Sequence, residues 1–111
     1  MNFDPDFDQK QLDLLASQYL QDTTVNGKVI FFSDKENRIS HATWRFNDAD
    51  HATLREMGLK FALMDVLDNL IAYRVREEQP NAGQGVVSIS DGIMTLRWTS
   101  LEVAEALREQ D

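Results

Sequence analysis

The stretch from Asn47 to Gln79 constrains this chain most, because its apolar residues recur at helical spacing on two sides. Leu54, Met57, Phe61, Met64, Ile71 and Val75 form one set, and Leu59, Leu63, Val66, Leu70 and Tyr73 the other. At about 100° per residue the two sets point in nearly opposite directions. A surface helix ordinarily has one apolar stripe and one polar face. A continuous helix over 47–79 would need cover twice, once from its own sheet and once from the terminal helices or a second chain. Covering both faces takes more protein than 111 residues readily supply, so a symmetric homodimer is expected.

Two hairpins flank this segment. Asp91-Gly92 is a strong two-residue turn signal between Val86 and Thr99. With Ser90 opposite Ile93, the residues Val87, Ile89, Met94, Leu96 and Trp98 share a buried face, and Ser88, Thr95, Arg97 and Thr99 a wet one. In the first hairpin Lys28–Phe32 and Ile39–Phe46 are the strands, joined by the polar turn 34–38, with Asn26-Gly27 as a preceding turn. Ile30, Phe32, Ala42 and Trp44 are expected on the buried face, which leaves Val29 and Phe31 on a second face that also asks for cover. Asn47 reads as a helix N-cap, with Asp48 and Asp50 favouring the positive end of the helix dipole. Asp4-Pro5 starts a first helix that carries Leu12, Leu15, Ala16, Tyr19 and Leu20 and ends near Asp22. Thr99 and Glu102 fit a capping box for a last helix striped by Leu101, Ala104 and Leu107.

The reading is a single α+β domain over 1–111. Its order is α-β-β-α-β-β-α, with two antiparallel hairpins on a long central helix and peripheral acidic terminal helices.

Charge narrows the function classes. The net charge is −8, of which residues 1–22 hold −4 and residues 99–111 hold −3. Direct binding of nucleic acid is disfavoured, because phosphates require a basic surface. A basic protein partner is compatible. There is no cysteine, hence no disulfide framework and no thiolate chemistry. No apolar run is long enough to span a membrane. The acidic first ten residues lack the features of a secretory signal, so a cytoplasmic location is expected.

No catalytic motif, metal site or cofactor emerges. Asp48, Asp50 and His51 are close in sequence, but the two acids already suit a helix start; His41 stands apart on a strand. Gly83-Gln84-Gly85 precedes a strand, so it fails the context of a phosphate-binding loop. Asp68 is the unusual residue, a carboxylate on an apolar helical face. It is expected to pair with Arg45 or Arg97, or to mark where solvent interrupts the apolar face; a buried general acid or base in a cavity is the alternative. Trp44 and Trp98 lie on expected buried faces, where tryptophan serves packing more often than binding.

These observations favour a non-enzymatic protein-binding module of adaptor, inhibitor or chaperone type, acting as a homodimer. The helix–hairpin–helix–hairpin–helix order and acidic charge resemble the dimeric chaperones of type III secretion, in topology and charge and through no motif, so no residue role follows. A small-ligand-binding domain with a pocket near Trp44, Asp68 and Trp98 is the alternative. A further one is an acidic inhibitor that mimics nucleic acid, with Glu102, Glu105, Glu109 and the acids of residues 4–13 standing in for phosphates.

Overall fold

The computed structural model describes residues 3–21 and 23–110. Their elements are α1 (Phe7–Tyr19), β1 (Gly27–Ser33), β2 (Ile39–Phe46), α2 (Asp48–Met57), α3 (Leu59–Arg76), β3 (Gln84–Ser90), β4 (Ile93–Trp98) and α4 (Leu101–Glu109). The fold is α+β, and both hairpins join in one antiparallel sheet of order β2-β1-β3-β4. The inner strands β1 and β3 pair directly, with Val29 opposite Val87.

The long central helix expected over 47–79 is instead two helices. Gly58 sits in the left-handed region (φ 77°), where a glycine ends a helix without a Cβ penalty. This break accounts for part of the two apparent apolar faces, since Leu54 and Met57 belong to α2; Phe61, Met64, Ile71 and Val75 remain on α3 with the other set. Read straight through, Leu54 and Leu59 lie on opposite sides; with the chain turned at Gly58, both are fully buried. α3 then buries one ordinary stripe, Leu59, Leu63, Leu67, Leu70 and Ile71. Leu63 is therefore core within one chain. Val66 and Tyr73 are partly buried beside it, whereas Phe61 and Val75 face out.

The sheet is covered on both sides. Phe31 lies opposite Ala42 and Val29 opposite Trp44, so these four share a face, together with Val87, Ile89, Met94, Leu96 and Trp98. That face packs against α1 and α3. Ile30 and Phe32 point the other way and join Val86 beneath Ala104 of α4. The expectation that grouped Ile30 and Phe32 with Ala42 and Trp44 is thus wrong by one residue of register, and in a strand one residue reverses every side chain. Both faces of β1 do have cover, but the face of Val29 and Phe31 is the main core under α1 and α3, and the added layer, α4, lies over Ile30 and Phe32. The terminal helices are not peripheral: α1 contributes buried Leu12, Leu15 and Ala16.

Local signals hold with small shifts. Asp91 (φ 53°) and Gly92 (φ 79°) form the expected turn, with Ser90 opposite Ile93. Asn47 caps α2, its side chain accepting from the Asp50 N–H at 2.7 Å. At α4 the cap is Ser100 rather than Thr99, accepting from the Val103 N–H at 3.3 Å, so Glu102 falls outside the box position. Gly27 opens β1 instead of making a turn. α1 begins at Phe7, after a turn over Asp4-Pro5-Asp6, and closes at Tyr19; the expected end at Asp22 lies outside the described residues.

Candidate functional site

The outer face of α3 is the most conspicuous surface. Phe61 is 84% exposed, and Met64, Ala72 and Val75 follow it along the same side of the helix. Phe61 and Val75 are the large apolar side chains exposed there, while Met64 is half-buried against the core; contiguous exposed apolar surface marks an interaction site, and single exposed residues do not. Asp65 and Asp68 interrupt the row.

Asp68 has a structural partner that sequence spacing does not show. Its Oδ1 accepts the backbone N–H of Ile39 at 2.6 Å, at the first residue of β2. The expected pairing with Arg45 or Arg97 does not form; both arginines belong to the opposite side of the sheet. Asp68 instead ties the β1–β2 turn to α3. Between that turn and the helix runs an open groove of about 470 Å³, lined by Glu36, Asn37, Arg38, Asp68, Asn69, Ala72, Val75 and Arg76. Its charges are mixed, two acids against two arginines, so it selects no single ligand charge.

Trp44 and Trp98 do not converge on Asp68. They occupy β2 and β4, the two edges of a four-stranded sheet, and Leu96 rather than Trp98 shares Trp44's row, so at the usual strand spacing they stand more than about 14 Å apart. Between them the face is filled by Val29, Phe31 and Val87, all fully buried. Trp44 lies under the Lys60 ammonium, 5.1 Å from its ring centroid. Trp98 is a fastening point for three elements. Its indole N–H donates to Asp8 Oδ2 of α1 at 2.7 Å, and the Arg74 guanidinium of α3 lies 4.8 Å above its ring. Phe31 meets it edge-on at 5.6 Å, and Gly85 lies beside this contact, where a Cβ would come within 2.6 Å of the Arg97 carbonyl oxygen and 3.1 Å of the Phe31 ring. Burial pushes the Arg74 guanidinium below its ordinary value, and the charge of Asp8 opposes that shift. Asp8 and Arg74 carried no signal in the sequence; only the tertiary fold brings them together.

The acidic segments are separated. Glu102, Glu105 and Glu109 are exposed on α4, on one side of the sheet, while α1 lies on the other. Within the N-terminal run, Asp8 is engaged by Trp98, and Asp4 accepts from the Asp6 N–H at 2.9 Å and from Lys10 Nζ at 3.1 Å. The Asp6 N–H, and after it Lys10, hold the Asp4 carboxyl below its usual value of 3.8. Together these acids do not form one phosphate-like strip.

His41 and His51 are likewise apart. His41 neighbours Phe32 on the α4 side, and His51 meets the Phe46 ring edge-on at 5.8 Å on the other. Asp50 accepts the Asn26 N–H at 3.2 Å, which fixes the chain before β1. Among the described residues, no three His, Asp or Glu side chains come close enough to hold a metal ion. No described helix is long and apolar enough to cross a membrane.

A second, smaller cleft of about 170 Å³ lies between the sheet and the end of α4, lined by Lys28, Ile30, Arg45, Leu107 and Gln110. In the sequence Lys28, Ile30, Arg45 and Leu107 read as strand, core or ion-pair residues, and nothing in their spacing brings them together.

Comparison with known protein families, with curated proteins and with solved structures finds no match.

Proposed function

We propose that the protein is a non-enzymatic protein-binding module that acts as a homodimer, paired through the outer face of α3. The observation that carries this reading is the outer face of α3, where Phe61, Ala72 and Val75 are exposed and Met64, half-buried against the core, lies between them. Their spacing is self-complementary about Asp68. Met64 and Ala72 stand four residues to either side of Asp68, and Phe61 and Val75 seven. An antiparallel pair of α3 helices with its twofold axis at Asp68 therefore sets Phe61 of one copy against Val75 of the other, and Met64 against Ala72. Such an isologous contact uses one patch twice. Asp68 can stand near the axis because its carboxylate is already turned to the Ile39 N–H.

The pairing opposes a repulsion. Each copy carries −8, and Asp65 adds acid near the contact. Added salt screens that repulsion and should strengthen the dimer, the opposite of what an acidic mimic bound to a basic partner would show.

Light scattering over a range of concentrations tests the reading. The expected result is a dimer mass for the wild type, a monomer mass for Phe61→Asp, and melting of that variant's monomer changed by less than about 0.5 kcal/mol, because the side chain is exposed. A wild type that stays monomeric at every concentration, or a Phe61→Asp variant that stays dimeric, contradicts it.

A further inference from the structure

The four strands contain no aspartate or glutamate, although the chain has 19 acids against 11 lysines and arginines. The strands do hold Lys28, Arg45 and Arg97, and all three face the same side. The register dictates it. Lys28 lies opposite Arg45 on one neighbour and Ser88 on the other, Ser88 lies opposite Thr95, and Val86 lies between Ile30 and Arg97. This is the side that α4 crosses, but α4 covers only part of it. Ala104 and Leu107 close over Ile30, Phe32 and Val86. Lys28, Ser88, Thr95 and Arg97 stay exposed.

The helix flank beside this open strip is apolar. Leu107 joins Lys28 and Arg45 around the smaller cleft, and Val103, one turn earlier, is 44% exposed. Arg45 is held in place by donating to the Arg108 carbonyl. Counting about 100° per residue, Glu102, Glu105 and Glu109 fall on the opposite flank of α4, away from Val103 and Leu107. The strip thus combines cations set across the sheet, hydroxyls between them and an aliphatic wall, on a chain that is otherwise acidic.

We infer that this strip docks an acidic segment of another protein, one that carries aliphatic side chains among its carboxylates; the inference rests on the reading of the chain as a protein-binding module and names its partner's chemistry. Carboxylates would meet Lys28, Arg45 and Arg97, and an aliphatic side chain would lie against Val103 and Leu107. A nucleic acid fits less well. The net charge of −8 repels any polyanion, peptide or nucleic acid alike, so what separates the two is that the strip offers no exposed aromatic ring for base stacking and presents an aliphatic wall that a phosphate backbone does not match. Phe32, the strip's aromatic neighbour, is buried and lies 5.0 Å from the Arg108 guanidinium.

The test uses the full chain and three labelled probes: a peptide with Leu at helical spacing among Glu, the same peptide with Gln for Glu, and oligothymidylate. Fluorescence anisotropy should show binding of the Glu peptide, little of the others, and a loss of ~10-fold or more in affinity for Lys28→Glu/Arg97→Glu. Amide NMR shifts on titration should centre on Lys28, Ser88, Thr95 and Arg97. Circular dichroism checks that the double variant is folded, and Lys28→Gln/Arg97→Gln, with a smaller loss expected, guards against a folding failure. Equal binding of the Glu and Gln peptides, no binding at all, preference for oligothymidylate, or shifts centred on α3 would overturn the inference. The dimer is judged separately: the double variant should keep the wild-type mass, and Phe61→Asp should keep the peptide affinity.

Discussion

At the residue scale, much of the order rests on single polar contacts across long sequence separations. Asp68 shows this most clearly. Removing its carboxylate strands the Ile39 N–H at a partly buried position, so Asp68→Ala should cost about 1–3 kcal/mol in chemical denaturation, and Asp68→Asn, which keeps an acceptor oxygen, clearly less. Equal losses for the two would mean that charge rather than hydrogen bonding holds the β1–β2 turn. Asp4 gives a pH-dependent counterpart. Its carboxyl is held below the ordinary 3.8 in the folded chain, so its contribution is fully present above that value and is lost as pH falls through the lower folded value. Asp4→Asn should therefore lower the melting temperature at neutral pH and leave it unchanged under strong acid; a loss of the same size at both would assign the effect to something other than the carboxylate. The partner of Asp68 was not legible in the sequence, because a side chain that caps a strand 29 residues away leaves no periodic trace. The apolar neighbours of Asp68 at helical spacing were legible, and they drew attention to it.

Elements were read more reliably where local chemistry and periodicity agree. The second hairpin was legible to its register, since Asp91-Gly92 dictates the turn and the alternation dictates the face. The first hairpin was legible as strands and not as faces. Val29 through Phe32 are apolar without alternation, because β1 is an inner strand covered on both sides, and periodicity then carries no information about direction. The break in the central helix was missed for a related reason. Apolar residues continue at helical spacing through Gly58, and one glycine inside such a run does not by itself end a helix. Gly58→Ala tests the break directly. The position has open space for a methyl group, so the cost comes from the left-handed backbone alone, about 1–2 kcal/mol. A neutral or stabilising result would mean that the two helices run on as one.

At the scale of the whole molecule, the sheet divides the protein's business. One side is sealed by α1 and α3 around the main core, and α3 presents Phe61 and its row outward. The other side is only partly covered by α4 and holds every basic residue of the strands. Net charge, read along the sequence, pointed to acidic ends and a basic partner; the fold separates those ends and gathers cations between them. That gathering was present in the sequence as strands free of acid, but it acquires meaning only once Lys28, Arg45 and Arg97 are known to share a side. The pairing of α3 about Asp68 is open to a direct test. Because the chain has no cysteine, two single variants, Met64→Cys and Ala72→Cys, can probe it by disulfide formation under mild oxidation. The antiparallel pairing predicts a cross-linked dimer when the two variants are mixed and little when either is oxidised alone. Cross-linking of each variant with itself, or none in the mixture at a concentration where the protein is dimeric, would contradict it.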